Sequence, residues 1–315
     1  MATSFLTAHR VTPKRRRRSE TYVNLQRALR TRGGAIGLGL LLLIVALAAV
    51  GPLFAPYSPT RSLTVPFSKA SSTYALGSDV LGRDVLSRLL AGGRTLLLMA
   101  VAATALGVLL GAAAGISAAY LRGRRDGLIM RAVDVILAFP QLIFALLIVS
   151  IAGPKLWLIV IAVGFSHAPA VARVLRSATL DVTERDFVKV VELQGLSARR
   201  VMTGEILPNI VSPLMVEIGL RLTYSIMIIA GLAFLGLGQP PPAANWGLMI
   251  SENLVGVQAN PWAVIAPVAA IALLTIGTNL FTDAYARVAI GADRPTETRA
   301  LLTDLGQSGD SNVER

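Results

Sequence analysis

The sequence predicts an all-α protein that crosses a membrane six times. Its 315 residues are 54% hydrophobic and 15% charged, and the mean hydropathy is +0.63. Soluble domains average about 25% charged residues, so this chain lacks the polar surface that would cover it in water. Six apolar runs also approach the roughly 20 residues that a helix needs to cross the hydrocarbon core of a bilayer. These observations predict a polytopic membrane protein.

The six predicted spans define a transmembrane region of residues 34–290. In chain order they are Gly34–Ala55, Leu96–Leu121, Val133–Ala152, Leu156–Val174, Ile210–Leu237 and Ala263–Ile290. With a cytoplasmic amino terminus, 23 of the 30 lysines and arginines fall in segments on the inner side and six on the outer side. The positive-inside rule therefore predicts that both termini are cytoplasmic. The net charge of +12 reflects these segments, and we expect no nucleic-acid partner.

This orientation assigns each polar segment to one side of the membrane. The outer segments are residues 56–93 and 238–262, and the cytoplasmic segment is residues 173–208. Residues 1–33 form a basic cytoplasmic amino-terminal segment. We expect its Lys14–Arg18 run to anchor the topology of the chain, with Val23, Leu25 and Leu29 lying on the anionic inner leaflet. Fifteen residues separate that run from the first span, which argues against an export signal. Residues 291–315 are predicted to be a disordered cytoplasmic tail.

Small residues recur at helical spacing in the second span. Gly107, Gly111 and Gly115 make a flat stripe along which another helix can approach closely. The alternative is the general enrichment of glycine in membrane helices. The regular spacing favours helix packing.

Two polar residues and a proline stand out in the third and fourth spans. Asp134 lies one turn into the third span and is expected to face Arg131 or the cytoplasmic interface. Pro140 is expected to kink that helix. His167 in the fourth span is expected to be a hydrogen-bonded core residue, with a proton relay as the alternative.

The cytoplasmic segment of residues 173–208 reads as two short helices. Thr183 is predicted to cap the first, with Asp186 completing a capping box. Gly195 supplies the left-handed turn that ends it. Ser197 is predicted to cap the second, and Pro208 to begin the next span, where a missing N–H costs nothing.

An apolar face on the first of these helices predicts a protein partner. Phe187, Val190 and Val191 lie on one side at helical spacing. A membrane protein that holds such a face in the cytosol is expected to dock another protein there.

Opposite charges lie four residues apart in the fifth span. Glu217 and Arg221 can pair along one helix face. Either they line a translocation path and contact a zwitterionic substrate, or they neutralise each other at a structural interface.

The chain lacks the groups that would bind ATP by a P-loop or hold zinc. None of its four lysines follows a glycine, so no P-loop is present. Two histidines and no cysteine predict no metal site, and we expect no cofactor in this chain. Any energy must come from a separate subunit or from an ion gradient.

The cytoplasmic segment resembles the EAA loop of bacterial ABC importer permeases, in which a glycine precedes Leu-Pro by a fixed interval. Gly195 and Leu207-Pro208 stand in that relation, whereas Lys189-Val190-Val191 replaces the Glu-Ala-Ala that names the loop. The residues that this resemblance assigns to coupling with an ATPase are Glu184, Asp186, Phe187, Lys189, Val190, Val191, Glu192, Gly195, Leu207 and Pro208.

Two further motifs resemble the second permease subunit of the dipeptide, oligopeptide and nickel branch. The first runs from Leu76 to Arg88, and the second from Phe234 through Pro240-Pro241 to Trp246-Gly247. The match covers nearly the whole chain and fades at Ala289-Ile290-Gly291.

This resemblance implies a type I ABC importer permease fold and a place in a bacterial or archaeal plasma membrane. It implies a heterodimer with a homologous permease, two cytoplasmic ATP-binding subunits that hold ATP and magnesium, and an extracytoplasmic solute-binding lipoprotein. The solute implied is a dipeptide or oligopeptide, with nickel chelates, glutathione-like compounds and short sugars carried by relatives.

Two other classes of function remain as alternatives. An ATP-independent secondary carrier would use Glu217, Arg221 and Asp134 as coupling sites, but it leaves the cytoplasmic segment without a role. A membrane scaffold that transports nothing is the third class.

Overall fold

A computed structural model describes residues 17–291, with side chains from residue 22 onward. Most of the basic amino-terminal run and nearly all of the predicted disordered tail therefore lie outside the described residues. The described part is helical apart from turns, loops and two isolated β-bridges. The all-α, multi-span fold class is confirmed.

Eleven α-helices follow one another along the described chain. They are α1 Arg17–Arg30, α2 Arg32–Val50, α3 Val85–Leu121, α4 Gly123–Leu137, α5 Gln141–Ala152, α6 Leu156–Thr183, α7 Asp186–Leu193, α8 Ala198–Val201, α9 Val211–Phe234, α10 Trp246–Asn253 and α11 Trp262–Ile290. Helices α2, α3, α6, α9 and α11 are each long and apolar enough to cross a membrane, and α4 with α5 can supply a sixth, broken span.

The third predicted span is broken where the sequence suggested only a kink. Helices α4 and α5 meet at 79° across the break at residues 138–140. Pro140 caps the start of α5 with an extended ψ of 129°, so no continuous helix passes through it. Helix α5 has 12 residues and is about 18 Å long, too short to cross a bilayer alone.

Helix α3 begins earlier than predicted, at Val85. The Asp84 carboxylate caps it by accepting a hydrogen bond of 2.8 Å from the backbone N–H of Ser87. The helix has 37 residues and is about 55 Å long, so it extends well beyond the hydrocarbon core. The last nine residues of the predicted outer segment 56–93 are therefore helical.

Close packing of α3 against α6 forms the centre of the bundle. A Cβ atom on Gly107 would lie 2.7 Å from the carbonyl oxygen of Gly164, and one on Gly111 would lie 2.5 Å from that of Ala168. A Cβ atom on Gly115 would be blocked by the Ala172 carbonyl oxygen. Real Cβ contacts do not come this close, so the two backbones meet only because these positions lack side chains.

Buried apolar side chains form two main clusters. The larger one joins α2, α3, α5, α6, α9, α10 and α11, and includes Leu96, Ile159, Ile226, Trp246 and Leu274. The second, which we call the inner cluster after the predicted inner side of the membrane, joins the end of α3 and α6 to the segment between α6 and α9. It includes Leu175, Val188, Val201, Ile206 and Ile210. The polar segment is therefore packed into the fold through its own apolar residues.

Candidate functional site

The segment between α6 and α9 is a compact, structured unit. Helix α7 ends at Leu193, and Gly195, two residues later, has the left-handed conformation expected from the sequence, with a φ of +76°. Ser197 lies at the amino-terminal cap of α8, as predicted, although its side chain makes no capping hydrogen bond. A π-helical turn at Met202–Ile206 and a 3₁₀ turn at Leu207–Asn209 then lead into α9.

The predicted capping box at Thr183 is wrong. Thr183 is the last residue of α6, and its hydroxyl donates to the carbonyl of Leu180 at 2.9 Å. The same hydroxyl accepts a hydrogen bond of 3.2 Å from Arg122. Arg185 occupies the cap position of α7, without a capping side-chain bond. Pro208 lies inside the 3₁₀ turn, and α9 begins three residues later at Val211.

The structure divides the predicted apolar face of α7 between two environments. Val188 is 1% exposed and belongs to the inner cluster, against which Phe187 and Val191 also pack. Val190 and Leu193 point away and are 50% and 88% exposed. The apolar surface that α7 presents to water is therefore Val190 with Leu193, and Phe187 mainly fixes the helix to its own chain.

Polar residues surround this exposed pair. Lys189 Nζ lies 3.9 Å from the carboxylate of Asp186, one turn earlier on α7. Glu192 is exposed on the same helix. Glu184, in the turn before α7, accepts a 2.6 Å hydrogen bond from Arg122 at the end of α3. Leu207, at the far end of the segment, packs on the inner cluster.

Ion pairs tie α4 to the carboxyl-terminal half of α6. Asp126 on α4 binds the Arg176 guanidinium through both carboxylate oxygens, at 2.7 and 2.6 Å. Asp134 on α4 pairs with Arg173 at 2.6 Å, where both side chains are more than half exposed. The predicted partner of Asp134, Arg131, is not the one observed. Sequence spacing could not reveal these pairs because they join separate helices.

The charges in the fifth span pair as expected from their spacing. The Nε atom of Arg221 lies 3.2 Å from an Oε atom of Glu217, and both residues are buried. The guanidinium also lies over the ring of Tyr224, 5.1 Å from its centre. Among the described residues, Asp134 shares no ion pair or hydrogen bond with either of them.

His167 is part of a buried hydrogen-bonded chain across three helices. Its Nε2 atom lies 3.0 Å from the Ser225 hydroxyl on α9, which lies 3.0 Å from the Thr104 hydroxyl on α3. Such interhelical bonds hold membrane helices in register. No group of three histidine, aspartate or glutamate residues in the described chain is arranged to hold a metal ion.

A second polar centre lies at the opposite end of the bundle and joins the predicted outer segments 56–93 and 238–262. Arg83 binds Asp79 at 2.6 Å and Glu252 at 2.8 Å, and Arg88 contacts the same two carboxylates at 3.2 and 3.1 Å. Both arginines are at most 1% exposed. The indole N–H of Trp246 donates to the Leu89 carbonyl at 2.8 Å. The sequence predicted the outer segments 56–93 and 238–262 but not this four-residue network between them, which we call the outer charge ring.

Two models of known protein families match parts of this chain. Residues 107–289 match the family model described as "Binding-protein-dependent transport system inner membrane component". Residues 24–71 match the model described as "N-terminal TM domain of oligopeptide transport permease C". The first match runs from the middle of α3 almost to the end of α11 and includes the segment that carries α7, and the second covers the end of α1 and all of α2.

Individual relatives agree with the family models. A protein of Pseudomonas aeruginosa named "Di/tripeptide transport system permease protein DppC" is 36% identical over 259 residues, which are 80% of this chain and 86% of that protein. The "Dipeptide transport system permease protein DppC" of Haemophilus influenzae is 32% identical over 80% of this chain and 88% of its own.

The fold is also found among solved structures. A chain of the MetNI methionine ABC transporter, in inward-facing conformation, aligns with a TM-score of 0.50 and 16% identity. The alignment covers 64% of this chain and 95% of that one. At this identity the likeness shows a common fold and nothing more.

Proposed function

This chain belongs to the family of binding-protein-dependent transport system inner membrane components, and from that membership we propose that it is the permease subunit of an importer that carries dipeptides and oligopeptides. Relatives that align over most of their length are named as dipeptide and di/tripeptide permeases, which supports short peptides as the solute. Membership of this family makes the chain a transport subunit, and ATP hydrolysis belongs to separate subunits.

The observation that carries the mechanism is the exposed pair Val190 and Leu193 on α7. The other side of the same helix is fixed to the spans through Val188, so a force on the exposed side moves α6 and α9. Each Å² of these two apolar side chains that a partner removes from water contributes about 25 cal/mol of favourable binding free energy. We assign them to contact with a cytoplasmic ATP-binding subunit.

The remaining partners follow from the same assignment. A homologous permease completes the channel, two subunits bind ATP and magnesium on the cytoplasmic side, and an extracytoplasmic binding lipoprotein delivers the solute to the outer segments. Both termini lie in the cytosol, with residues 1–33 at the inner leaflet and residues 291–315 as a tail. Closure of the ATP-bound subunits would then move α7 and switch the spans between inward and outward access.

The intramembrane charges fit this mechanism better than they fit a secondary carrier. Glu217 and Arg221 already neutralise each other on one helix. Asp134 is half exposed and paired with Arg173 at a helix end. A proton-coupled carrier would need such a carboxylate to change partners during transport. That mechanism would also leave α7 without a function.

Replacing Leu193 with aspartate tests the proposal. Leu193→Asp places a carboxylate in the apolar contact and should weaken docking by several kcal/mol, because burying an unpaired charge is costly. We expect peptide uptake and peptide-stimulated ATP hydrolysis to fall at least tenfold, while membrane insertion and thermal stability stay unchanged.

Ser197→Asp is the matched control. It adds the same charge four residues away, at an exposed helix cap where aspartate is favourable. Normal uptake by Leu193→Asp, or equal loss in both variants, would remove α7 as the coupling contact.

A further inference from the structure

Helix α4 carries an exposed face that the proposed mechanism does not use. Arg124, Leu128, Arg131 and Val135 follow one another at intervals of four, three and four residues, so they form a single stripe along the helix. Leu128 and Val135 are 72% and 64% exposed. We call these four residues, with the adjacent Arg125, the α4 stripe.

Other residues of α4 hold it against the rest of the protein. Val133 is buried, and Asp126 and Asp134 bind Arg176 and Arg173 of α6. These are the only two acidic residues of α4, and both are used there. In the part of the chain that the structure covers, Arg124, Arg125 and Arg131 take part in none of the ion pairs within 4.0 Å. The α4 stripe is therefore a positively charged surface without a counter-charge.

The position of α4 places this stripe at the membrane surface. Helix α4 starts two residues after α3 ends at Leu121, so its first turn lies beside the inner end of a membrane span. Its axis makes an angle of 79° with α5. Helix α5 is the apolar part of the broken third span, and membrane helices tilt by about 20° on average. With α5 at such a tilt, α4 runs closer to the membrane plane than to its normal.

We propose that the α4 stripe binds the headgroups of anionic phospholipids in the cytoplasmic leaflet. The three guanidinium groups would contact lipid phosphates, and Leu128 and Val135 would enter the boundary between headgroups and acyl chains. Interfacial helices bind membranes by this combination of basic and apolar residues. The inference rests on the proposed orientation, in which α4 is cytoplasmic.

Charge favours anionic lipid as the occupant of this face. The α4 stripe carries three arginines and no carboxylate. An anionic leaflet attracts each basic residue by about 1 kcal/mol, which is roughly fivefold in affinity. Loss of all three charges should weaken the preference for anionic lipid about a hundredfold.

The chain contains no cysteine, so a single probe can report on the stripe. Leu128→Cys is labelled with an environment-sensitive fluorophore in the transporter purified with its associated subunits. The complex is reconstituted in phosphatidylcholine vesicles that contain brominated phosphatidylglycerol or, at the same fraction, brominated phosphatidylcholine. We expect several times stronger quenching by the anionic lipid, falling to equal quenching in Arg124→Gln/Arg125→Gln/Arg131→Gln.

Two controls make the result specific. Arg185→Gln/Arg199→Gln/Arg200→Gln removes three exposed charges from the same side of the protein and should leave the lipid preference unchanged. A probe at Leu193→Cys, on the surface assigned to the ATPase, should be quenched by neither lipid.

Each outcome separates this inference from the proposed function. Equal quenching by both lipids in the labelled protein that keeps all three arginines overturns the anionic preference. No quenching by either lipid shows that protein covers the face. Peptide uptake by the same vesicles is measured in parallel. Normal uptake without lipid preference removes only this inference, whereas lipid preference without ATP-driven uptake under any condition removes only the proposed function.

Discussion

At the scale of single residues, Glu217 and Arg221 show how a membrane helix carries charge. Their ion pair closes within one turn of α9 and needs no second helix, so both charges are compensated wherever α9 packs. This geometry favours the structural interpretation of the two that the sequence left open. It also makes a clear prediction about what happens when one partner is removed.

Removing one of these two charges should lower the unfolding free energy more than removing both. Arg221→Met leaves Glu217 buried without its counter-ion and should cost about 3 to 5 kcal/mol of unfolding free energy. Glu217→Leu combined with Arg221→Met should recover most of that loss, because an apolar pair replaces a desolvated one. Unfolding of the purified permease in detergent measures both values.

Uptake by the double variant decides between the two interpretations. Near-normal peptide uptake is expected if the pair is structural. A stable double variant with no uptake would instead place these residues on the translocation path.

At the scale of elements, the contact between α3 and α6 depends on missing side chains. Gly111→Val would push a branched side chain into the Ala168 carbonyl oxygen and Val171. Overpacking of this kind costs about 1 to 3 kcal/mol, and here the obstacle is backbone that cannot rotate away. We expect lower thermal stability and reduced amounts of assembled complex.

Gly39→Val is the matched control for this contact. It lies in span α2, where an added Cβ meets nothing within 4 Å. Equal loss of stability in both variants would attribute the effect to valine in a membrane helix and not to the contact with α6.

The elements also show which structural features the sequence could predict. The spans were predictable because apolar length is a local property, as were the left-handed Gly195 and the pairing of Glu217 with Arg221. The break at residues 138–140 was not, because a proline does not specify an angle. Pro169 and Pro267 lie inside continuous helices, whereas Pro140 lies in the 79° break between α4 and α5.

Sequence periodicity alone could not predict the orientation of α7 either. The pattern placed Phe187, Val190 and Val191 on one side of the helix, whereas in the structure Phe187 and Val191 pack on the inner cluster and Val190 is 50% exposed. Which side meets water depends on Val188 packing against Val201 and Ile206, residues that follow later in the chain. The ion pairs of α4 with α6 depend on tertiary contacts in the same way.

At the scale of the whole molecule, the outer charge ring ties distant parts of the chain together. Arg83 and Arg88 precede or begin α3, whereas Glu252 belongs to α10, more than 160 residues later. Glu252→Ala would leave two fully buried guanidinium groups sharing Asp79. We expect a loss of about 3 to 5 kcal/mol and rapid proteolysis of residues 56–84 in membrane vesicles.

Glu252→Gln separates charge from shape in this ring. It keeps a carbonyl acceptor at the same reach, so it should lose less stability than the alanine variant while still unbalancing the charges. Stability equal to the unaltered protein in Glu252→Ala would show that the ring does not fix the outer segment.

The two ends of the molecule carry different chemistry, and their assignment to opposite sides of the membrane is the last prediction. The chain has no cysteine, so Val255→Cys and Leu193→Cys each provide one reactive thiol. Both parent side chains are more than 80% exposed. A thiol reacts as the thiolate, which forms in water and not in lipid. A membrane-impermeant maleimide should therefore label Val255→Cys in right-side-out vesicles and Leu193→Cys in inside-out vesicles stripped of peripheral proteins. The reverse pattern would place α7 outside, beyond the reach of any ATP-binding subunit, and would overturn the orientation on which coupling depends.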